Sequence, residues 1–580
     1  MKDRIKVMLT TEGTYPFHQG GVSTWCNALV SRLSSVDYII YSIIMNPFVV
    51  QKFGLPPSAH LLKVPLWGTE EPSEHLVEIP FSQVYAAKRR TLPAVIKEHF
   101  IPLFTEMVTE IFAREKNSIK LGHTFFEMHS YFQEYDYRVS FKSETTWNAF
   151  KAIALQQIKG EKERLFNASI FDLNQSLGWL YRFMVILNTP LPNADVSHSA
   201  AAAFCGIPCV LAKIKGKTPF LLTEHGVYLR EQYLAASRQG LSSYLKTFLI
   251  QLVRSITALN YAYADQVSPV CAYNTRWEKE MGVEQKKIKV IYNGVDPAVF
   301  APGGRQPALA NPTVVAVARV DPIKDLVTLI KAAAVVKEIV PKVKFILYGS
   351  VTVPSYYQEC LELRDSLRLE DTFIFAGHTD DVPAAYRSGD IIALSSISEA
   401  FPYSVVEAMM SGKPVVATDV GGVGEAVKDC GITVRPRRPD ELAAALIKLL
   451  EDDRLRFEMG ENARQRALTY FAINRMVELY LAEYRALAGR RDTAPWKPQV
   501  REKQGLYAQR GYALASSGFW KEALAQFRLA VEIDVRSPAV PVLLLEMARV
   551  YNELGRGDLA LNELEKARAM AVLIEGGQVA

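Results

Sequence analysis

Residues 391–425, IIALSSISEAFPYSVVEAMMSGKPVVATDVGGVGE, constrain the fold more than any other stretch of the chain. The run 391–394 is wholly apolar and bounded by a polar turn, 395–398, so it reads as a strand buried on both faces of a parallel sheet. Residues 404–410 predict a helix with Ser404 as its cap, and 414–417 predict the next strand. Strand, turn, helix and strand at this spacing fit an open α/β sheet. Glu399 then falls at the carboxyl end of a strand and Glu407, eight positions on, inside the following helix. That edge of an open parallel sheet is where ligands bind. Gly421-Gly422-Val423-Gly424-Glu425 reads as a loop whose backbone N–H groups can approach an anion. Paired carboxylates suited to hydroxyl groups, beside a phosphate cradle, suit a nucleotide sugar.

The same rhythm runs through much of the chain. At 580 residues it is too long for one core, and two to four domains are expected. Residues 5–9 read as a first parallel strand. A loop over 10–19 leads to Gly20-Gly21-Val22-Ser23, and Trp25, Leu29 and Leu33 follow at helical spacing. The glycines free the backbone near a helix N-terminus, where phosphate or sugar can bind; a tight turn is the plain alternative. Residues 39–44 read as the second strand. Residues 61–64 and 76–80 suggest short strands of a hairpin-like insertion, and 93–115 and 143–160 read as helical. The aromatics Phe125, Phe126, Tyr131, Phe132, Tyr135 and Tyr137 suit a core or a partner surface, and His123 and His129 suit structural or surface roles.

The α/β alternation then returns. Residues 195–198 end a candidate strand, 200–204 with Gly206 read as a close-packed helix, and 208–211 and 220–223 read as strands. His225 lies just past the last of these, where a binding residue is expected, with Arg230 and Glu231 near the same mouth. His198 is a weaker candidate. Residues 241–264 are helical, 266–270 a strand, 274–281 a helix and 289–292 the last strand of this half. The segment 300–312, rich in Pro, Gly and Ala, marks the boundary to a second domain.

That domain opens with a strand at 313–318, followed by Arg319 and Lys324 before a helix at 326–336. Two cations at a strand–helix junction suit a diphosphate, since each can counter charge that develops on a leaving group; a solvated basic loop is the plain alternative. Strands at 345–348 and 373–376 and helices at 357–368 and 382–388 lead into the opening stretch, with residues 379–381 capping the last helix. Residues 440–450 and 453–486 are helical, the latter long enough to cross back onto the first domain. Residues 490–503 read as a charged linker with Pro495 and Pro498. Beyond it, Gly511, Leu514, Gly518, Ala523, Phe527 and Ala530 recur as Ala548, Tyr551, Gly555, Ala560, Leu564 and Ala567 at a constant offset of 37. Small residues at helix crossings with large ones between suit stacked helical hairpins. Two repeats are marginal alone, so they are expected to pack on a neighbour or on the long C-terminal helix.

Composition narrows the function classes. Net charge is +5 with basic residues dispersed, which argues against a nucleic-acid or anionic-membrane surface. The six cysteines form no metal-ligand spacing and are too few for a disulfide scaffold, so a reducing compartment fits. No uninterrupted 18-residue apolar span exists, and residues 5–9 are too short for a signal-peptide core. A cytoplasmic location is expected, with peripheral association at the inner membrane through a partner left open.

Arg319, Lys324, Glu399 and Glu407 resemble the phosphate-binding pair and paired glutamates of retaining GT-B glycosyltransferases of family 4. The resemblance covers roughly residues 1–486 and includes Gly20-Gly21-Val22-Ser23, Asn293-Gly294-Val295-Asp296 and Ser398-Glu399-Ala400-Phe401-Pro402. The long N-terminal insertion and Thr223-Glu224-His225-Gly226 look like the PelF branch, the cytosolic glycosyltransferases of Pel exopolysaccharide synthesis. The tail resembles tetratricopeptide repeats. Many family members have Glu-Gly-Phe-Gly where this chain has Glu399-Ala400-Phe401-Pro402, and Pro402 removes an N–H donor from that turn.

The resemblance implies two Rossmann-like domains facing a cleft, 1–300 on the acceptor side and 301–486 on the nucleotide-sugar side. A linker at 487–503 and a small all-α repeat tail at 504–580 follow. It implies that Glu407 accepts from ribose hydroxyls, that Arg319 and Lys324 hold the diphosphate, and that Glu399 orients donor-sugar hydroxyls. Phe401 joins that binding set, His225 contacts the sugar near the reacting carbon, and Gly20 and Gly21 lie near the diphosphate and acceptor. It implies a UDP-sugar substrate with no metal and no cofactor, front-face attack rather than a covalent carboxylate, and protein partners of an exopolysaccharide synthesis complex met through the tail. Two other classes stay open: a GT-B epimerase or phosphorylase, and a non-catalytic GT-B scaffold.

Overall fold

Twelve strands form two parallel six-stranded sheets in this computed structural model, which describes residues 4–67, 81–160, 168–303, 311–489, 500–516, 518–535 and 537–576. The first sheet holds β1 (Ile5–Glu12), β2 (Val36–Ile44), β3 (Ala59–Pro65), β4 (Val196–Ser199), β5 (Phe220–Glu224) and β6 (Gln266–Pro269) in the order β3-β2-β1-β4-β5-β6. The second holds β7 (Thr313–Val317), β8 (Lys344–Tyr348), β9 (Phe373–Gly377), β10 (Ile391–Leu394), β11 (Val415–Thr418) and β12 (Ile432–Val434) in the order β12-β11-β10-β7-β8-β9. Both are the doubly wound order, which reverses direction between its first and fourth strands. The switch points therefore lie between β1 and β4 and between β7 and β10. The central strands are buried along their length, β4, β5, β10 and β11 without a break, because helices cover both faces. These sheets match the GT-B architecture.

Several sequence expectations change. β3 pairs parallel to β2, so it is a sheet strand and no hairpin arm; residues 76–80 lie outside the described residues. Residues 208–211 belong to the helix Ile207–Gly216, where Pro208 sits in the first turn and its missing N–H costs no helical bond. Residues 200–204 form no helix; a short 3₁₀ turn, Phe204–Gly206, takes their place. Gly206 is nevertheless needed for close packing, since a Cβ there would collide with the Asn260 side chain. Residues 289–292 form no strand, although Lys289 and Ile291 donate to Val267 and Pro269 along the edge of β6. β12 is only three residues long, too short for its sequence to announce. Ser404 caps nothing: the helix begins at Tyr403 behind Pro402, with no side-chain cap bond.

The stretch 453–486 is two helices, Asp453–Tyr470 and Ile473–Ala488, broken where Ala472 bridges Val295. The second helix crosses back onto the first domain. Tyr480 and Tyr484 are fully buried there among Trp25, Tyr38 and His198. Each such ring contributes roughly 1.5–3 kcal/mol by burial, and both hydroxyls are bonded, Tyr480 with Thr223 at 3.0 Å and Tyr484 with His198 at 2.8 Å.

The insertion between β3 and β4 is helical, and the aromatics of 125–137 lie largely in its core, where Phe100, Tyr131, Phe132, Tyr137 and Phe141 interlock. His129 is buried there with Nδ1 2.9 Å from the Leu187 carbonyl. The tail makes two helical hairpins, Val500–Ser516 with Trp520–Ile533 and Val540–Glu553 with Gly557–Gly576. Each turns on a glycine in the left-handed region, Gly518 and Gly555, which are 37 positions apart. The tail docks on the helix Ile101–Phe112 of the insertion, not on the C-terminal crossing helix. Arg510, only 2% exposed, is held by Glu106 at 2.5 Å and Glu127 at 2.6 Å. The proposed linker with Pro495 and Pro498 lies mostly outside the described residues; Val500 is already helical.

Candidate active site

Arg319 follows β7 and Glu399 follows β10, so the two flank the switch point of the second sheet. Two backbone turns are locked together there. Ile397 N donates to the Ile323 carbonyl at 2.9 Å, and Ser395 Oγ donates to the Lys324 carbonyl at 2.8 Å. Asp325, with φ +46, caps the helix Leu326–Ile339 through Thr328 and sharpens the turn that aims Lys324. Lys324 Nζ then meets Glu399 Oε1 at 2.5 Å, and Ser396 Oγ donates to the same oxygen at 2.6 Å. Arg319, just past β7, is exposed and has no partner among the described residues. A free guanidinium and a partly engaged ammonium leave donors for an anion at this edge.

Glu407 lies in the helix Tyr403–Met410 and accepts from the Tyr386 hydroxyl at 2.8 Å. Burial pushes its carboxyl up to about 7, while the Tyr386 bond pulls the other way. Its second oxygen has no protein donor among the described residues.

On the facing domain, His225 stands past β5 with its ring edge-on to Trp25 at 4.6 Å. Burial drives the imidazole down to about 3, so it is neutral at physiological pH, and its Nε2 is buried without a partner. It lines a cleft of about 280 Å³ with Glu12, Thr14, Val22, Tyr228 and Glu231. Glu12, at the carboxyl end of β1, accepts from the Tyr228 hydroxyl at 3.1 Å and from Cys205 N at 3.3 Å. The sequence reading passed over Glu12, an acid that follows the apolar run 5–9 and ends the first strand. Behind His225, Glu224 is fully buried and accepts from Tyr261 at 2.6 Å; burial raises its carboxyl and lifts the neighbouring Glu278 to about 7. His198 is wholly buried between Tyr484 and Thr223, so it is part of the docking of the crossing helix.

The two walls touch at the mouth. A Cβ at Gly21 would stand 3.2 Å from the Tyr403 ring, and Arg230 Nη2 donates to Ser398 Oγ at 2.9 Å. Gly20 is open, with nothing near a Cβ built there. Glu425 accepts from Ala272 N at 2.8 Å and Tyr273 N at 3.1 Å, clamping the domains farther along.

Two candidates change role. Gly421 and Gly422 press against the Glu399–Ala400 backbone: Gly422 N donates to the Ala400 carbonyl at 2.7 Å, and a Cβ at Gly421 would collide with the Glu399 carbonyl. Their small size serves that backbone contact, and residues 423–427 are a short helix rather than an open loop. Phe401 is 5% exposed, packed on Tyr292 and Phe471 at 5.5 and 5.3 Å, so its ring is engaged in the core. Among the described residues, no group of three or more His, Cys, Asp or Glu side chains is placed to hold a metal ion. No helix among them is long and apolar enough to cross a membrane.

Residues 305–466 match the family described as glycosyl transferases group 1, and residues 5–286 match one described only as a domain of unknown function, DUF3492. The chain is 31% identical over 225 residues to a D-inositol 3-phosphate glycosyltransferase of Corynebacterium glutamicum, covering 35% of this chain and 53% of that one. It is 30% identical over 186 residues to a trehalose synthase of Pyrococcus horikoshii, covering 31% and 45%. The chain thus spans about half the length of the curated relatives it matches. Sucrose-phosphate synthase from Thermosynechococcus elongatus superposes with a TM-score of 0.54 at 17% identity, covering 84% of this chain and 100% of that one. Anabaena HepE, solved with UDP and glucose, does so at 0.51 and 16%, covering 83% and 100%. At these identities the two structures establish a shared fold.

Proposed function

We propose that this chain is a nucleotide-sugar-dependent glycosyltransferase that moves a hexosyl or N-acetylhexosaminyl unit from a UDP-sugar, with retention, to a growing exopolysaccharide, as in the PelF branch. The observation that supports the reading is the Lys324–Glu399 pair at the carboxyl edge of the second sheet, where Arg319 also follows a strand and the helix carrying Glu407 comes after the same turn. The Lys324–Glu399 pair serves two purposes. Glu399 fixes the ammonium by one donor and leaves the others for a phosphate oxygen, while its free oxygen can accept from a sugar hydroxyl. Arg319 supplies the second cation, and together they stabilise the diphosphate as the glycosidic bond breaks. The free oxygen of Glu407 accepts from ribose. His225, neutral and with an unused Nε2, meets the sugar from the other wall as an oriented hydrogen-bond partner, without adding charge. Contacts across the mouth at Tyr403 and Ser398 shut out water, which competes with the acceptor.

Glu399 is tied up by Lys324 and Ser396, which suits orientation better than nucleophilic attack. The reading of the tail as tetratricopeptide-like, contacting proteins of an exopolysaccharide complex at the cytosolic face of the inner membrane, rests on its two matched hairpins. The deciding experiment incubates the purified chain with a panel of nucleotide sugars and follows nucleotide release and saturable binding. Release that requires a saccharide acceptor supports transfer. Isomerised donor without an acceptor would favour an epimerase, and no binding at all would favour a scaffold.

A further inference from the structure

The cleft beneath His225 has an unusual balance of polar groups. Its wall carries two carboxyls, Glu12 and Glu231, the neutral imidazole of His225, and the hydroxyls of Thr14 and Tyr228, with no lysine or arginine. Tyr228 already donates a hydrogen bond to Glu12. Thr14 Oγ1 and His225 Nε2 are buried without partners. Each Glu12 oxygen accepts one bond and has room for a second. Glu231 lies against the loop at Gly226, where a Cβ would stand 2.1 Å from Glu231 Oε1. The adjacent cation, Arg230, is turned out of the cleft to Ser398. Acceptors outnumber donors on this wall, so a fitting ligand must bring hydrogen-bond donors.

The wall of the cleft adjoins the contacts between the two domains. Val22, on its wall, follows Gly21, which abuts Tyr403, and the helix carrying Glu231 also carries the bond from Arg230 to Ser398, next to Glu399. Resting on the glycosyltransferase reading above, which already sets the acceptor on this domain, we infer that Glu12 and Glu231 make this cleft select an uncharged, hydroxyl-rich saccharide that donates to them, and reject phosphorylated sugars. A phosphate would bring acceptors and negative charge to a wall that already has both.

The test uses the full chain saturated with UDP and measures calorimetric binding of maltose and of glucose 6-phosphate, with wild type and with Glu231→Lys. We expect maltose to bind wild type at least about tenfold more tightly than glucose 6-phosphate, since like charges set together are costly. Glu231→Lys should reverse that order. Thermal melting of the variant checks its fold, and Glu231→Gln, which removes the negative charge without adding a positive one, should narrow the difference without reversing it. Equal or tighter binding of glucose 6-phosphate by wild type overturns the inference, as does absence of maltose binding while UDP still binds. Failure to bind UDP overturns instead the reading of the cleft on which the inference rests.

Discussion

Lys324 Nζ and Glu399 Oε1 lie 2.5 Å apart across 75 residues of chain, joining the turn after β7 to the turn after β10. The two side chains are 18% and 12% exposed, buried enough to hold geometry and open enough to meet a ligand. Breaking the pair should therefore affect chemistry before it affects folding. For Glu399→Ala we expect transfer to fall by roughly a hundredfold or more through misplaced donor sugar, with an unchanged circular dichroism spectrum. Turnover near wild type would remove Glu399 from the orienting role.

Arg319 has no partner to lose among the described residues, so Arg319→Ala should leave thermal stability alone. Its cost should fall on the diphosphate: about 1.5–3 kcal/mol of UDP binding, the usual worth of a bond to a charged group. Calorimetry with UDP checks this, and equal affinity for mutant and wild type would count against the assignment.

Glu407 gives a pH signature with a definite sign. Its carboxyl sits at about 7 in the folded chain against an ordinary 4.5. Between those limits the folded chain keeps a proton that the unfolded chain releases, so this group's contribution to stability declines as pH rises. UDP binding should move the other way and tighten as pH rises through 7, because the ionised carboxylate accepts better from ribose. Glu407→Gln should flatten both trends; calorimetric Kd and melting temperature on either side of pH 7 provide the readings.

Arg510 anchors the tail through Glu106, both almost out of reach of water, and through Glu127, which is 28% exposed. Arg510→Ala leaves both acids without that partner and should cost roughly 3–5 kcal/mol. Arg510→Met, which refills the space, should also destabilise, since the acids remain; the triple change with Glu106→Met and Glu127→Met should recover much of the loss. Denaturant unfolding of the four proteins separates lost packing from stranded charge.

What could be read from the residues follows from where the physics is local. Apolar runs such as 391–394 and 220–223 announced buried strands because parallel strands are apolar on both faces. The cations and acids of the second domain were placed correctly relative to those strands, since a residue just past a strand end has few places to go. The Ile207–Gly216 helix misled because Pro208, Val210 and Leu211 are equally at home in a buried strand or in the first turns of a buried helix. Gly421 and Gly422 misled for a different reason: glycine permits close approach without saying to what, and here the approach is to the Ala400 backbone. Glu12 and the Glu425 clamp depend on contacts across more than a hundred residues, which no local pattern encodes.

The bridge between Val295 and Ala472 brings the outgoing and returning chains side by side where they pass between the lobes. A paired strap of this kind resists sliding and shear but yields to bending about its own line. What the strap supports is the register of the mouth, Gly21 on Tyr403 and Arg230 on Ser398, while Lys324 and Glu399 keep their pairing within the second lobe. Severing one ribbon of the strap, by a nick between Asn293 and Asp296, would loosen that register and leave the Lys324–Glu399 pair intact.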